Sequence, residues 1–148
     1  MKLKISLTLL SLFVLLAACK NEGKKEAEAT EAQEITQMEK IVEVHDELMP
    51  KMSEISLMIT QLEQSMDGTA NDSLKGVAVA ELKGANEAMM EWMMEFSEDY
   101  DSEEVMEGKE LTPEKQAMLN TYEESVMDLK LTMEGAMEQG QALLDSDN

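Results

Sequence analysis

Residues 113–145 read PEKQAMLNTYEESVMDLKLTMEGAMEQGQALLD, and this stretch decides the fold class. Thr112 and Pro113 open it as an N-cap and a first helical residue, a position that suits the fixed φ of proline. Apolar and small residues then recur at steps of three and four. They are Leu119, Tyr122, Val126, Leu129, Met133, Ala136, Gly140 and Leu143. This spacing predicts a helix over residues 113–145 with one apolar face.

Two stretches upstream share this periodicity. The predicted helix over residues 73–97 has Ser73 as its N-cap. Its stripe is Leu74, Ala78, Leu82, Ala85, Met89, Trp92 and Phe96. The stripe of the predicted helix over residues 34–66 is Met38, Val42, His45, Met49, Met52, Ile55, Ile59, Leu62 and Met66. Turn-forming residues at 67–72 separate these two helices, and the acidic, aperiodic residues 98–111 predict a loop before the third.

The three helices define the predicted fold class. No segment alternates apolar and polar residues at period two, so the sequence predicts an all-α protein. One apolar stripe cannot be buried by a helix alone, and three antiparallel helices with short connections bury all three stripes together. The prediction is an elongated, coiled-coil-like antiparallel three-helix bundle over residues 34–148. Because 15 of the 148 residues are methionine, a residue that fills gaps adaptably, we expect modest rigidity.

The charge balance excludes several classes of function. The chain has 32 acidic residues and 12 basic ones, for a formal net charge of −20. Nucleic-acid binding is excluded, because phosphate neutralisation needs clustered basic residues. A protein partner would instead present a basic surface. With one cysteine, one histidine and no arginine, the chain lacks the parts of a disulfide framework and of most catalytic constellations, so we predict no enzymatic activity.

The N-terminus indicates where the protein is located. Residues 1–19 read MKLKISLTLLSLFVLLAAC, with lysines first, then an apolar run, then small residues before Cys19. This pattern is typical of a secretory signal, and its end resembles the bacterial lipobox. We therefore predict a signal peptide over residues 1–18, lipidation of Cys19 that anchors the protein in a lipid bilayer, and a disordered tether over residues 19–33. Lys20 after the cysteine favours the outer membrane of the cell envelope, by resemblance to such lipoproteins.

The single histidine and the single tryptophan are predicted to share one level of the bundle. Antiparallel pairing of the first two helices about their turn places His45 beside Trp92 and Phe96. One interpretation is ordinary core packing. The alternative is a soft site for Cu(I) or Ag(I), because thioethers and imidazole suit soft monovalent metals. Its predicted ligands are His45, Met49, Met52, Met89 and Met93, with Trp92 lining the site opening.

The acidic loop offers a second metal hypothesis. Carboxylate oxygens suit Ca²⁺, and the candidates are Asp99, Asp101, Glu103 and Glu104. The loop lacks the glycine and the terminal glutamate that an EF-hand requires at fixed positions. A solvated run of charges is the more common outcome for such a stretch, so we predict no calcium site.

Three features together carry a family resemblance. The lipobox and the strings HDELMPKM (residues 45–52) and MMEWMMEF (residues 89–96) resemble those of small lipoproteins from Bacteroidetes-type bacteria, which often bear the label "viral A-type inclusion protein". The resemblance covers nearly the whole chain and supplies no catalytic residues. From the sequence as a whole we predict an envelope lipoprotein with a non-enzymatic binding or structural role, and soft-metal binding or tolerance is the alternative function.

The lipid anchor gives the first prediction. Cys19→Ser should leave an unprocessed precursor that keeps its signal, because the thiol that receives the lipid is removed. Metabolic labelling with a fatty acid and the electrophoretic size of the protein measure both effects. Normal cleavage of Cys19→Ser, together with wild-type protein that partitions into the aqueous phase of a detergent extract, would refute the lipobox interpretation.

Overall fold

The computed structural model describes residues 35–146, and four α-helices account for most of them. They are α1 (Gln37–Gln64), α2 (Asp72–Asp99), α3 (Ser102–Met106) and α4 (Pro113–Ser146). No strand occurs within this range, so the predicted all-α class is confirmed. None of the four described helices combines the length and the apolar character that a bilayer span requires. The predicted signal peptide, Cys19 and the tether lie outside the described residues.

The long helices α1, α2 and α4 pack against one another in pairs. Contacts between α1 and α2 fix an antiparallel register: His45 stacks on Trp92 near one end, and Glu63 pairs with Lys83 near the other. The prediction that His45 and Trp92 lie at one level of the two helices is therefore confirmed. Helices α1 and α4 run parallel. Glu47 of α1 pairs with Lys130 of α4, and one turn further along both helices Lys51 pairs with Glu134.

The shared core consists of aliphatic side chains, methionines and a few rings. Its fully buried large side chains are Ile41, Leu48, Ile55, Leu62, Leu82, Met89, Leu119, Val126 and Met133. Every one of the three long helices contributes to this set, so each apolar stripe is buried by the other two helices. Burial of such side chains stabilises the fold by about 1.5–3 kcal/mol each, before entropic costs.

The buried face of α4 matches its predicted stripe from Leu119 to Gly140, and Leu143 is half-buried. The buried face of α1 differs from its prediction. It follows a seven-residue repeat (Ile41, Leu48, Ile55 and Leu62), and Met49 is 41% exposed. The reason is that α1 is apolar on two neighbouring arcs, and the branched aliphatic arc occupies the centre of the core.

Two predictions at the start of α2 are wrong. Leu74 is 57% exposed, and Lys75 is buried in its place, with its Nζ donating to the Ser65 carbonyl oxygen at 2.8 Å. Ser73 is not the N-cap, because the helix already begins at Asp72. The Asp72 carboxylate accepts hydrogen bonds from the backbone of residues 67 and 68, which ties the turn to the helix start. Gly68 supplies the positive φ of +87° that this turn needs.

The predicted loop over residues 98–111 contains a helix. Helix α2 continues to Asp99, and α3 follows after two residues. Asp101 and Glu104 form a capping box, in which each side chain accepts a hydrogen bond from the other residue's backbone N–H. Reciprocal capping of this kind compensates for the absence of an apolar period in so short a segment. The predicted N-cap at Thr112 is confirmed, because its hydroxyl accepts from the Lys115 N–H at 3.3 Å.

Gly140 marks a close approach between helices, and this gives the second prediction. A Cβ there would lie 2.5 Å from Met58 Sδ and 3.1 Å from Leu82 Cδ1. Gly140→Ala should therefore destabilise the protein by about 1–3 kcal/mol through overpacking, even though alanine favours a helix. Urea unfolding followed by circular dichroism measures the change.

Gly135 is the matched control in the same helix. Nothing lies within 4 Å of a Cβ added there. Gly135→Ala should raise the free energy of unfolding by about 0.5–1 kcal/mol, the usual difference in helix propensity. Equal stabilisation by both substitutions would contradict the close approach at Gly140.

Candidate functional site: an aromatic cleft

All the aromatic rings after Phe13, together with the only histidine, form one cluster. Trp92, Phe96 and Tyr100 are spaced four residues apart at the end of α2 and therefore lie in one row. Phe96 stacks on Trp92 at 5.0 Å between ring centroids, with Tyr100 tilted against Phe96 at 5.0 Å. His45 of α1 extends the row, with its ring stacked on Trp92 at 5.9 Å.

Tyr122 of α4 holds this row from the side. Its ring meets Trp92, Phe96 and Tyr100 edge-on, at centroid distances of 5.9, 5.1 and 5.6 Å. Edge-to-face pairs of this kind are favourable because the positive ring edge meets the negative ring face. One side chain thus fixes three rings of α2 to α4.

Hydrogen bonds fix the polar atoms of the cluster. Trp92 Nε1 donates to Ser125 Oγ at 2.9 Å, and the Tyr100 hydroxyl donates to the Lys115 carbonyl oxygen at 2.7 Å. The Tyr122 hydroxyl donates to the Asp99 carboxylate at 2.5 Å. Burial and this hydrogen bond raise the pKa of the Tyr122 phenol above its ordinary value. The rings are therefore held in defined positions at neutral pH.

Beside the ring row lies an open cavity of about 490 Å³, which we name the aromatic cleft. Helices α1, α2 and α3 form its walls. The lining residues are Val42, His45, Asp46, Trp92, Met93, Phe96, Ser97, Tyr100, Asp101, Ser102, Val105 and Met106. The lining is mostly apolar, and Asp46 and Asp101 provide carboxylates. A volume of this size suits a small-molecule ligand.

Helix α3 is the third wall of the cleft, and lysines hold it in place. Lys109 Nζ lies 3.1 Å from Asp101 and 3.0 Å from Glu103. Lys115 Nζ lies 2.6 Å from Glu104, whose side chain is 6% exposed, and 5.6 Å from the Tyr100 ring centroid. The hydrogen bond from Lys115, followed by the one from the Asp101 backbone, lowers the pKa of Glu104 below its ordinary value of 4.5.

A second cavity of about 510 Å³ adjoins the aromatic cleft. The two cavities share Val42 and Asp46 of α1 and Val105 and Met106 of α3. Met106 is 77% exposed. The two openings therefore share a border made of three apolar side chains and the Asp46 carboxylate.

Only part of the residue set of the soft-metal hypothesis lines the cleft. His45 and Met93 line it, as does Trp92. Met89 is fully buried in the core, Met52 is half-buried and Met49 is largely exposed. His45 Nδ1 lies 2.9 Å from Asp46 Oδ1. The polar partner of the imidazole is therefore the adjacent aspartate.

The four carboxylates of the calcium hypothesis have other partners. Asp101, Glu103 and Glu104 pair with lysines, and Asp99 accepts the Tyr122 hydroxyl. Across residues 35–146, no group of three or more His, Cys, Asp or Glu side chains has an arrangement that could hold a metal ion. These carboxylates fix α3 and Tyr122.

The sequence analysis did not identify the α3 side of the cleft. Tyr100, Asp101, Ser102, Val105 and Met106 all lie in the segment predicted as a loop. The signal that could have found them is the Asp-x-x-Glu spacing of residues 101–104, a capping-box pattern followed by Val105 and Met106. Tyr100 also continues the four-residue spacing of Trp92 and Phe96.

Comparison with known protein families, with curated proteins and with solved structures gives no match to this chain. The resemblance to small Bacteroidetes-type lipoproteins therefore stays a prediction.

The Glu104–Lys115 pair gives the third prediction. Glu104→Gln should raise the hydrogen-exchange rate of the α3 amides by about tenfold at neutral pH, because a charge-assisted bond is lost. In the wild type, the lowered pKa means that this stabilisation is present above pH 4.5 and is lost as the pH falls through the folded-state value. The variant should show less acid sensitivity in α3.

Glu107→Gln is the control, because it changes the charge equally in the same segment at an exposed position. It should leave α3 exchange unchanged. Equal acceleration by both variants would mean that local net charge, rather than the pair with Lys115, holds the helix.

Proposed function

We propose that this chain is a lipid-anchored, non-enzymatic binding protein of the cell envelope, and that the aromatic cleft is its ligand site. In this proposal Cys19 attaches the protein to the bilayer, at the outer membrane by analogy with other lipoproteins. The tether over residues 19–33 then connects the anchor to the helical part. The lipobox pattern and the charge-rich composition of residues 20–33 support this arrangement.

We further propose that the folded unit is an antiparallel three-helix bundle made of α1, α2 and α4. The pairwise packing of these helices and the register between His45 and Trp92 support it. Helix α3 is then an accessory element in the connection from α2 to α4. A short loop would be enough to join α2 to α4. The longer connection that contains α3 also supplies the third wall of the cleft.

The observation that carries the binding proposal is the concentration of rings at one opening. Trp92 and Tyr100 belong to the core, at 7% and 4% exposed, and Phe96 is half-buried beside them. All three line one cavity that opens to solvent, on a surface that is otherwise strongly acidic. An apolar cavity with a few fixed polar groups is the usual form of a small-molecule site.

Soft-metal binding is the second candidate function. The observation that supports it is that His45, stacked on Trp92, lines the same cleft as Met93. Imidazole and thioether groups are the donors that Cu(I) or Ag(I) would use.

Ligand binding in the cleft gives the fourth prediction. A neutral apolar fluorophore, N-phenyl-1-naphthylamine, should bind the wild type at one saturable site. Ser97→Phe should weaken binding at least tenfold, because Ser97 lines the cleft and a ring there fills it. Fluorescence titration measures the affinity, and Ser73→Phe, an exposed position at the other end of α2, is the matched control.

Unchanged binding in Ser97→Phe would refute the cleft as the ligand site. A Cu(I) titration of the same proteins under reducing conditions separates the second candidate, with Trp92 fluorescence as the signal. Tight Cu(I) binding that His45→Leu and Met49→Leu each abolish, combined with no fluorophore binding, would replace the first proposal with the second.

A further inference from the structure

We propose that the aromatic cleft selects an apolar organic cation, a ligand whose positive charge is carried on a hydrocarbon body. This inference rests on the proposed function, because it names the ligand class of the same site. Three properties of the cleft carry it: the ring row in its wall, the sign of the charges in its lining, and its volume.

The ring row provides the surface for the apolar body and for the cation. Phe96 is half-buried within the row, between the stacked Trp92 and the tilted Tyr100. Trp92 and Tyr100 are 7% and 4% exposed, so Phe96 is the ring of this row that a ligand can contact. Aromatic rings attract organic cations because the ring face carries partial negative charge. The edge-on contacts of Tyr122 keep the three rings in place before a ligand arrives, which lowers the entropic cost of binding.

The charges in the lining have one sign. The twelve lining residues include two aspartates and no lysine or arginine. Asp101 already pairs with Lys109, whereas Asp46 contacts the neighbouring His45 and its side chain is 69% exposed. Asp46 is therefore the carboxylate available to a ligand cation. The formal net charge of −20 adds a negative potential that attracts cations and repels anions.

The volume limits the ligand to a small molecule. About 490 Å³ accommodates a compact cation with an apolar body, and it is too small for a folded protein segment with its own core. The cleft therefore selects a small ligand that combines a positive charge with an apolar body. A basic protein partner would bind the acidic surface outside the cleft.

Matched probes test the inference. Phenyltrimethylammonium is the cation, tert-butylbenzene is its uncharged isostere, and benzenesulfonate is an anion with the same ring. The sample is the full lipid-anchored protein, purified in detergent micelles, and the method is isothermal titration calorimetry. The cation should bind at least tenfold tighter than the isostere. The anion should not bind, and the cation's advantage should decrease as salt is raised.

Asp46→Asn tests the assigned carboxylate. It should weaken cation binding about tenfold and leave isostere binding unchanged, because it removes a charge and almost no volume. Glu81→Gln is the control, since it makes the same change of net charge at an exposed position of α2 remote from the cleft. It should leave both affinities unchanged.

The possible results separate this inference from the proposed function. Equal binding of cation and isostere would overturn the cation inference while the cleft remains a ligand site. An equal loss of cation affinity in Asp46→Asn and Glu81→Gln would overturn the role of Asp46. The net charge of the protein alone would then account for the preference for cations. Binding of neither probe, with no fluorophore binding either, would overturn both proposals.

Discussion

The packing of Trp92 is the interaction on which the rest of the described structure depends. Its ring stacks on His45 of α1, meets Tyr122 of α4 edge-on, and donates its N–H to Ser125 of α4. One side chain of α2 therefore contacts both other long helices at a single level. This contact sets the register of α1 against α2, and the neighbouring Phe96 extends the same stack into the wall of the aromatic cleft. Loss of the ring would remove about 3–5 kcal/mol of core packing and would also open the cleft.

The charge of the chain constrains how the helices meet. With 32 acidic residues and only 12 lysines, like charges on adjacent helices repel one another. The lysines are placed to offset this repulsion between elements: Lys51 and Lys130 join α1 to α4, and Lys83 joins α2 to α1. Exposed pairs of this kind contribute little individually. Their effect depends on where they lie. The Lys115–Glu104 pair stabilises α3, a short helix with almost no core of its own.

The sequence predicts the elements where a single signal dominates. Helix α4 has one apolar stripe, and its residues from Leu119 to Gly140 are buried as expected. Helix α1 has two adjacent apolar arcs, so periodicity alone cannot show that Leu48 is buried while Met49 faces solvent. Helix α3 has no periodicity at all, because five residues are too few, and only its capping box reveals it. The level of His45 and Trp92 was predictable from the turn, but the cleft was not, because five of its twelve lining residues come from the segment around α3.

The distribution of side-chain size explains why a cleft forms at one end of the helices. At the other end, small residues allow close approach: Gly140 lies against Met58 and Leu82, and Ala78 and Ala136 are buried nearby in the core. At the cleft end, the rings of Trp92, Phe96 and Tyr122 occupy the space between the helices, and bulky contacts hold helix axes farther apart. Helix α3 forms the third wall at this end, and the lining of the aromatic cleft also includes Asp46 of α1. The same rings that stabilise this end of the core therefore line the cleft that we propose as the ligand site.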